Sequence, residues 1–268
     1  MAARLQTRPL CSHCSLFSLQ PRRGAYAATR LSVWPGISSV NHPGGGRGCL
    51  RVLAMAKRRV FTVPEIASAA DLQFESPLKI VEYPDPRLRA RNKSIATFDD
   101  NLKRLVEEMF DVMYKTDGIG LSAPQVGINV LLMVFNAAGE RGEGDEIVLV
   151  NPKIYKYSKK TLLFNEGCLS FPGIYADVER PASVKIDARD VTGARFTANL
   201  SELPARVFQH EYDHLQGTLF FDRMTEDVLD SIRPALQALE KKYEDRTGVP
   251  SPERIVNYTR KKEALGFA

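Results

Sequence analysis

Residues 209 to 217 read Gln209-His210-Glu211-Tyr212-Asp213-His214-Leu215-Gln216-Gly217, and within them His210, Glu211 and His214 spell H-E-x-x-H. On an α-helix, positions i and i+4 share a face, so two imidazoles at this spacing can hold one metal ion with the intervening acid beside it. The spacing therefore predicts a helix here. Pro204 suits its first turn and Gly217 its end, while Val207, Phe208 and Leu215 offer it apolar contacts. A helix flanked in this way is largely buried and keeps its metal in a partly dry pocket. Two histidines leave coordination positions open, and a catalytic site wants a third protein ligand plus one place for water.

An inventory nominates that ligand. The chain holds four His and four Cys, and His13, His42, Cys11, Cys14 and Cys49 all lie in the N-terminal stretch. Only His210, His214 and Cys168 remain. The plainer alternative is a chance pair of histidines with Cys168 as a small buried hydrophobe.

Working outward, the chain of 268 residues and 29.9 kDa is 44% hydrophobic, ordinary for a globular protein. No run approaches the length of a membrane span. The net charge of +5 and the pI near 9.0 are unevenly distributed. Residues 1–59 carry ten Lys and Arg and no acid, the first carboxylate being Glu65; removing that +10 leaves about −5 for the rest. A mildly acidic remainder gives no argument for specific nucleic-acid binding. The acid-free stretch, rich in Arg, Ser, Ala and Gly, has the composition of an organellar transit peptide, and Cys11-Ser-His-Cys14 inside it reads as incidental. The expected organisation is a removed leader over 1–56, a loose segment over 57–76, a catalytic domain over 77–247 and a basic, solvated tail over 248–268. One remaining Cys excludes an intramolecular disulfide in the mature domain, which suits a stromal or matrix location.

The fold class expected is α+β, with short mixed or antiparallel sheets around the metal-binding helix and a helix near the C-terminus. Leu78 to Tyr83 reads as a strand closed by Pro84-Asp85-Pro86. A hydroxyl cap at Thr97 opens a helix carrying Leu102, Leu105, Val106, Met109, Phe110 and Met113, and Asp117-Gly118 stops it. Strands follow at Val130–Phe135 and Glu146–Tyr157, the second with a bulge or edge at Asn151-Pro152. Leu162–Phe164 leads into E-G-C-L-S, closed by Pro172-Gly173. Val184–Ala188 pairs with Phe196–Leu200 across Thr192-Gly193. Leu219–Phe221 reads as a strand, and Val228–Tyr243 as a helix that Pro234 starts or kinks. Between the first helix and the strands, Gly118 to Gln125 reads G-I-G-L-S-A-P-Q. It lacks the third Gly of a dinucleotide loop and the Gly-Lys-Ser/Thr ending of a phosphate loop.

In order, G-I-G-L-S-A-P-Q, E-G-C-L-S and Q-H-E-Y-D-H-L-Q-G resemble the three signature motifs of peptide deformylases, and the acid-free leader resembles that of their plant organellar members. The resemblance spans roughly Leu78 to Tyr243. Ser122 departs from the family's usual Ala, a small-for-small change. The resemblance implies that Cys168, His210 and His214 hold a divalent metal, commonly Fe(II), with Zn(II), Ni(II) or Co(II) able to replace it, and that water takes the fourth position. It further implies that Glu211 accepts a proton as water attacks the N-formyl carbonyl of a nascent peptide, then passes it to the leaving amine. The Gln125 amide and the Leu169 N–H would stabilise the oxyanion. The peptide would lie extended along Ile119, Gly120 and Gly167, with its methionine near Ile119 and Val207 and with Tyr175 either walling the pocket mouth or simply exposed. Chloroplast stroma or mitochondrial matrix, or both, would be its location, and a transient ribosome contact through the C-terminal helix or tail is a further expectation. Outside the site residues, Glu166 is read as orienting nearby backbone or side chains, Asp213 as an exposed helix charge and Ser170 as the end of a strand.

Two competitors remain on the residues alone. A metzincin protease would need His at position 220, which is Phe220, although Glu226 could in form serve as a later ligand. A metal-stabilised interaction module would need a fourth protein ligand to close its site.

Overall fold

The helix carrying His210 and His214 is where the sequence puts it, and it covers one face of the main sheet. The computed structural model describes residues 65–258, which all fall within one compact unit. The expected leader, its cleavage point and the basic residues Arg260, Lys261 and Lys262 lie outside the described residues. Seven strands and three α-helices build an α+β fold: α1 (Asp100–Lys115), β1 (Gly120–Ser122), β2 (Leu132–Phe135), β3 (Ile147–Tyr157), β4 (Thr161–Cys168), β5 (Phe171–Pro181), β6 (Ser183–Arg189), β7 (Arg195–Ser201), α2 (Glu202–Leu215) and α3 (Glu226–Thr247). The strands form a five-stranded antiparallel sheet in the order β1-β2-β3-β6-β7 and a separate hairpin, β4-β5.

Strand alternation sorts the core. Val150 of β3 joins Leu132 and Val134 against Leu105, Met109 and Met113 of α1. Its neighbour Leu149 faces the other way, joining Met133, Phe135, Val184 and Ile186 against Val207, Phe208 and Leu215 of α2. A third cluster seats the hairpin's Phe171, Ile174 and Val178 on Leu229, Leu236 and Leu239 of α3. Each such aliphatic or aromatic side chain contributes about 1.5–3 kcal/mol by leaving water.

Several expectations change. Leu78–Tyr83 is extended but joins no sheet: Val81 N–H donates to the Gln125 carbonyl at 2.7 Å and Tyr83 N–H to the Ser170 carbonyl at 2.9 Å, so it straps together two of the motif loops. Thr97 does not cap α1. The cap is Asp99, whose carboxylate accepts the Leu102 N–H at 3.0 Å, because it sits immediately before the first helical residue. Asn151 does mark a register shift in β3, with a left-handed φ of 51°. The chain after Cys168 turns back at Leu169-Ser170, so Pro172 and Gly173 belong to β5 rather than closing the segment. Val184 and Ala188 pair with Leu200 and Phe196 as expected. Leu219–Phe221 adds no strand; Phe220–Arg223 is a 3-10 turn in which Asp222 accepts the Leu219 N–H at 2.7 Å. Pro234 neither starts α3 nor ends it, since the helix already begins at Glu226.

Both flanks are less loose than their composition suggests. Within 57–76, Ala69–Leu72 forms a 3-10 turn and buries Leu72 against the α1 core. Gly248 ends α3, and the described segment after it, though mostly exposed, is anchored to the body at one point: Ile255 is fully buried and its N–H donates to Glu240 at 2.6 Å. Glu240 also accepts the Tyr83 hydroxyl at 2.9 Å.

Candidate metal centre

Helix α2 presents His210 and His214 one turn apart, and the end of β4 brings Cys168 to them. One ligand atom from each of the three lies within 4.8 Å of the others, and the Cys168 Sγ is 3.2 Å from His214 Nε2. His210 uses Nδ1 to meet a Glu166 oxygen at 3.0 Å, which leaves Nε2 as its ligand atom. A thiolate with two imidazoles is a donor set suited to a first-row divalent ion. No fourth His, Cys or carboxylate joins this group among the described residues, so a position stays open. A bound cation fits.

The electrostatics prepare for it. Burial opposes charge on His210, yet the Cys168 sulfur and the Glu166 carboxylate outweigh it and hold that imidazole's pKa well above its ordinary value. Burial, with His210 and Arg180 nearby, pushes His214 the other way. Glu211 lies fully inside, and burial lifts its carboxyl to about 7 against the pull of His210 and Ser122. Its Oε2 is buried with no hydrogen-bond partner among the described residues, an acceptor held ready for a substrate or water proton.

Three residues outside the motifs set this arrangement. Arg180 donates from Nε to Glu166 at 2.7 Å and from Nη1 to Asp213 at 2.7 Å. Arg206 reaches from α2 to Glu166 at 2.9 Å, to the Val178 carbonyl at 2.9 Å and to the Leu162 carbonyl at 2.6 Å, so it ties the metal helix to both strands of the hairpin. Arg223 closes the set on Asp213 at 2.6 Å. Asp213 is therefore a buried ion partner and not an exposed helix charge. Glu166 orients neighbouring side chains as expected, meeting both His210 and Arg180; burial works against its charge, but Arg180 and His210 hold its pKa far below the usual carboxylate range. Alternation of apolar and polar residues in β5 was the available signal for Arg180, since it continues the inward row of Ile174, Ala176 and Val178.

The other residues expected at the site divide into those beside the ligands and those lining the approach. The Gln125 amide nitrogen is 3.6 Å from Cys168 Sγ and 3.4 Å from Ser170 Oγ. Its Oε1 accepts both the N–H of Ser122 at 2.9 Å and its hydroxyl at 2.7 Å, which aims the NH2 toward the metal ligands. Ser122 thus does more than replace a methyl group. Ser170, read as a strand end, is fully buried in the same contact. Leu169 follows Cys168 in the hairpin turn and packs against the α1 core. Gly120 sits so close to α2 that a Cβ there would lie 2.6 Å from Val207 Cγ1 and 2.7 Å from Glu211 Oε1. Ile119 joins Val207 in the α2 cluster. The Tyr175 ring covers Gly167, its partner across the hairpin, while remaining 39% exposed. Strand β1 pairs only with β2, and β4 only with β5, so both offer an edge beside the site.

Comparison with known proteins agrees with this geometry. The family model described as Polypeptide deformylase matches residues 77–229. Over 216 residues, 81% of this chain and 79% of its relative, the sequence is 70% identical to "Peptide deformylase 1B, chloroplastic/mitochondrial" of Arabidopsis thaliana. It is 40% identical over 175 residues to a peptide deformylase of the bacterium Rhodopirellula baltica, covering 65% of this chain and 87% of that one. A crystal structure of the Arabidopsis thaliana enzyme superposes with a TM-score of 0.66 at 75% identity, over 67% of this chain and 98% of that one. A Plasmodium falciparum peptide deformylase does so with a TM-score of 0.62 at 48% identity, over 63% and 99%. On the family match and on sequence and fold similarity alike, this chain belongs to the peptide deformylase family.

Proposed function

We propose the following assignment of roles for this chain. Peptide deformylases are metal-dependent enzymes that remove the N-formyl group from nascent polypeptides, and this one is organellar, like its relatives named chloroplastic or chloroplastic/mitochondrial. The observation that carries the reading is the convergence of Cys168, His210 and His214 beside the unpartnered carboxylate oxygen of Glu211. Fe(II) is the metal assigned, with Zn(II), Ni(II) and Co(II) as substitutes the same ligands would accept. When bound, it polarises the formyl carbonyl and acidifies water. Glu211 takes the proton released as water adds to the carbonyl carbon and returns it to the departing amine, so formate and a free N-terminal amine result. The Gln125 amide and the Leu169 backbone N–H receive the developing negative charge. The peptide lies extended between the edges of β1 and β4, bonding through its main chain to Ile119, Gly120 and Gly167. Its methionine enters beside Val207, and Tyr175 borders the opening. Residues 1–56 act as the leader that directs the chain to the stroma or matrix, residues 77–247 carry the catalytic domain, and a transient meeting with the ribosome belongs to the same reading. No helix among the described residues is long and apolar enough to cross a membrane.

The test is formate release from formyl-Met-Ala-Ser, without oxygen, by the protein beginning at Lys57. Release by the wild type is expected. A folded, metallated protein that releases none would overturn the assignment. Cys168→Ala separates this reading from a protease whose metal ligands lie elsewhere: it should fold, yet lose its stoichiometric metal and with it all formate release. A Cys168→Ala protein retaining a full metal equivalent would remove Cys168 from the ligand set.

Close approach at Gly120 gives a second expected result. Gly120→Val must displace Val207 and Glu211, so kcat/KM for the tripeptide should fall about 100-fold or more while metal content is retained. Unchanged kinetics would mean that the strand edge can retreat without disturbing Glu211.

A further inference from the structure

The mildly acidic domain concentrates unpaired positive charge on one face of its sheet. Helix α2 covers one face from β1 to β7, whereas α1 covers the other only where Leu132, Val134 and Val150 meet it. Beyond that point β3, β6 and β7 are open to solvent. Cross-strand register puts Lys153, Asp187 and Thr197 in one row of this open face, Lys156, Lys185 and Asn199 in the next, and Arg189 beside Arg195 in a third. The five basic side chains are all exposed. Asp187 is the one acid in these rows, and Arg195 neutralises it at 2.5 Å. Arg189 donates to the Gly193 carbonyl and lies over the Phe98 ring. Lys153, Lys156 and Lys185 make no ion pair among the described residues. Tyr155, at the register shift between them, is 58% exposed.

We propose that this open face of β3, β6 and β7 is a docking surface for the phosphate backbone of folded RNA. Charge complementarity commits it to that partner. Three unpaired lysines on a rigid sheet present point charges at strand spacing, and an exposed tyrosine among them offers a stacking surface, the combination that sequence-independent RNA contacts use. The inference rests on the reading that the substrate is a nascent chain, because such a substrate is found tethered to RNA-rich machinery. The sheet order also keeps the two activities apart: β1, beside the metal centre, is one edge of the sheet, and the basic strands occupy the other end. RNA held there leaves the peptide groove open. Sequence-independent contacts of this kind do not require the domain to carry net positive charge.

The experiment compares the metal-loaded protein beginning at Lys57 with two triple variants, Lys153→Gln/Lys156→Gln/Lys185→Gln on the sheet and Arg260→Gln/Lys261→Gln/Lys262→Gln in the tail. All three proteins lack the basic leader, which would otherwise dominate binding to a polyanion. Binding to a fluorescent ribosomal RNA hairpin is titrated across salt concentrations. The sheet variant should bind roughly tenfold more weakly, with the salt slope reduced by about 2, and the tail variant should match the wild type. Release of formate from free formyl-Met-Ala-Ser should be the same in all three, which separates failure of this proposal from failure of the assigned activity. An unaltered sheet variant, or equal losses in both variants, overturns the proposal. So does a sheet-specific loss seen on anionic phospholipid vesicles but not on RNA.

Discussion

Glu211→Gln is expected to fold, to retain its metal and to release formate from formyl-Met-Ala-Ser about 10³-fold more slowly than the wild type. The substitution keeps size and shape in a place where Gly120 packs closely against the side chain, so packing is preserved. It removes only the capacity to take a proton. Burial has raised this carboxyl to about 7, which suits a group that must accept a proton and then give it up near neutrality. A cation on Cys168, His210 and His214 favours the ionised form and draws the midpoint lower. In either case the ionised form is the working one, so wild-type kcat/KM rises with pH through this pKa, and the variant should lack that limb. Metal analysis beside a pH series of kcat/KM decides the matter; a loss smaller than tenfold would move the proton-transfer role to another group.

The second large effect is on stability. Arg180→Leu should cost about 3–5 kcal/mol, because it leaves the buried carboxylates of Glu166 and Asp213 without the cation between them. Arg206 and Arg223 still touch one acid each, which is why the lower half of that range is the more reachable. Metal affinity should fall as well, since Glu166 orients His210. The acid limb of stability carries a signature of its own. Glu166 is held far below its ordinary pKa by Arg180 and His210 despite its burial, so the stability it lends is present above the unfolded value, about 4.3, and is lost as pH falls toward the folded one. Removing Arg180 should flatten that loss. Urea unfolding at pH 7 and pH 3 tests both statements, and a difference below 1 kcal/mol at pH 7 would refute the first.

The metal centre was legible because its chemistry demands scarce residue types. Once the leader is set aside, two imidazoles and one thiol are all the chain has to offer, and the spacing of the first two already requires a helix. Strands with strict alternation, such as Ser183–Arg189 and Arg195–Ser201, were equally readable. What stayed hidden were features in which polar residues behave against type. Arg180, Arg206 and Asp213 look like surface charges until the fold brings them together, because a buried ion network leaves no local pattern. Ser122 reads as a small residue until its hydroxyl is seen on Gln125. The strand expected at Leu78–Tyr83 failed for a related reason: its hydrogen bonds go to two loops, and only tertiary structure supplies those partners.

The return of the chain to Glu240 has a temporal meaning. That carboxylate accepts the Tyr83 hydroxyl from the beginning of the domain and the Ile255 N–H from its end. Helix α3 can therefore form while the protein is being synthesised, but one of Glu240's two donors among the described residues arrives only when Ile255 emerges. Until then the carboxylate meets only the Tyr83 hydroxyl of this pair. Completion of this contact therefore follows the emergence of Ile255, and a chain cut at Gly248, where composition alone would have drawn the boundary, would lack it.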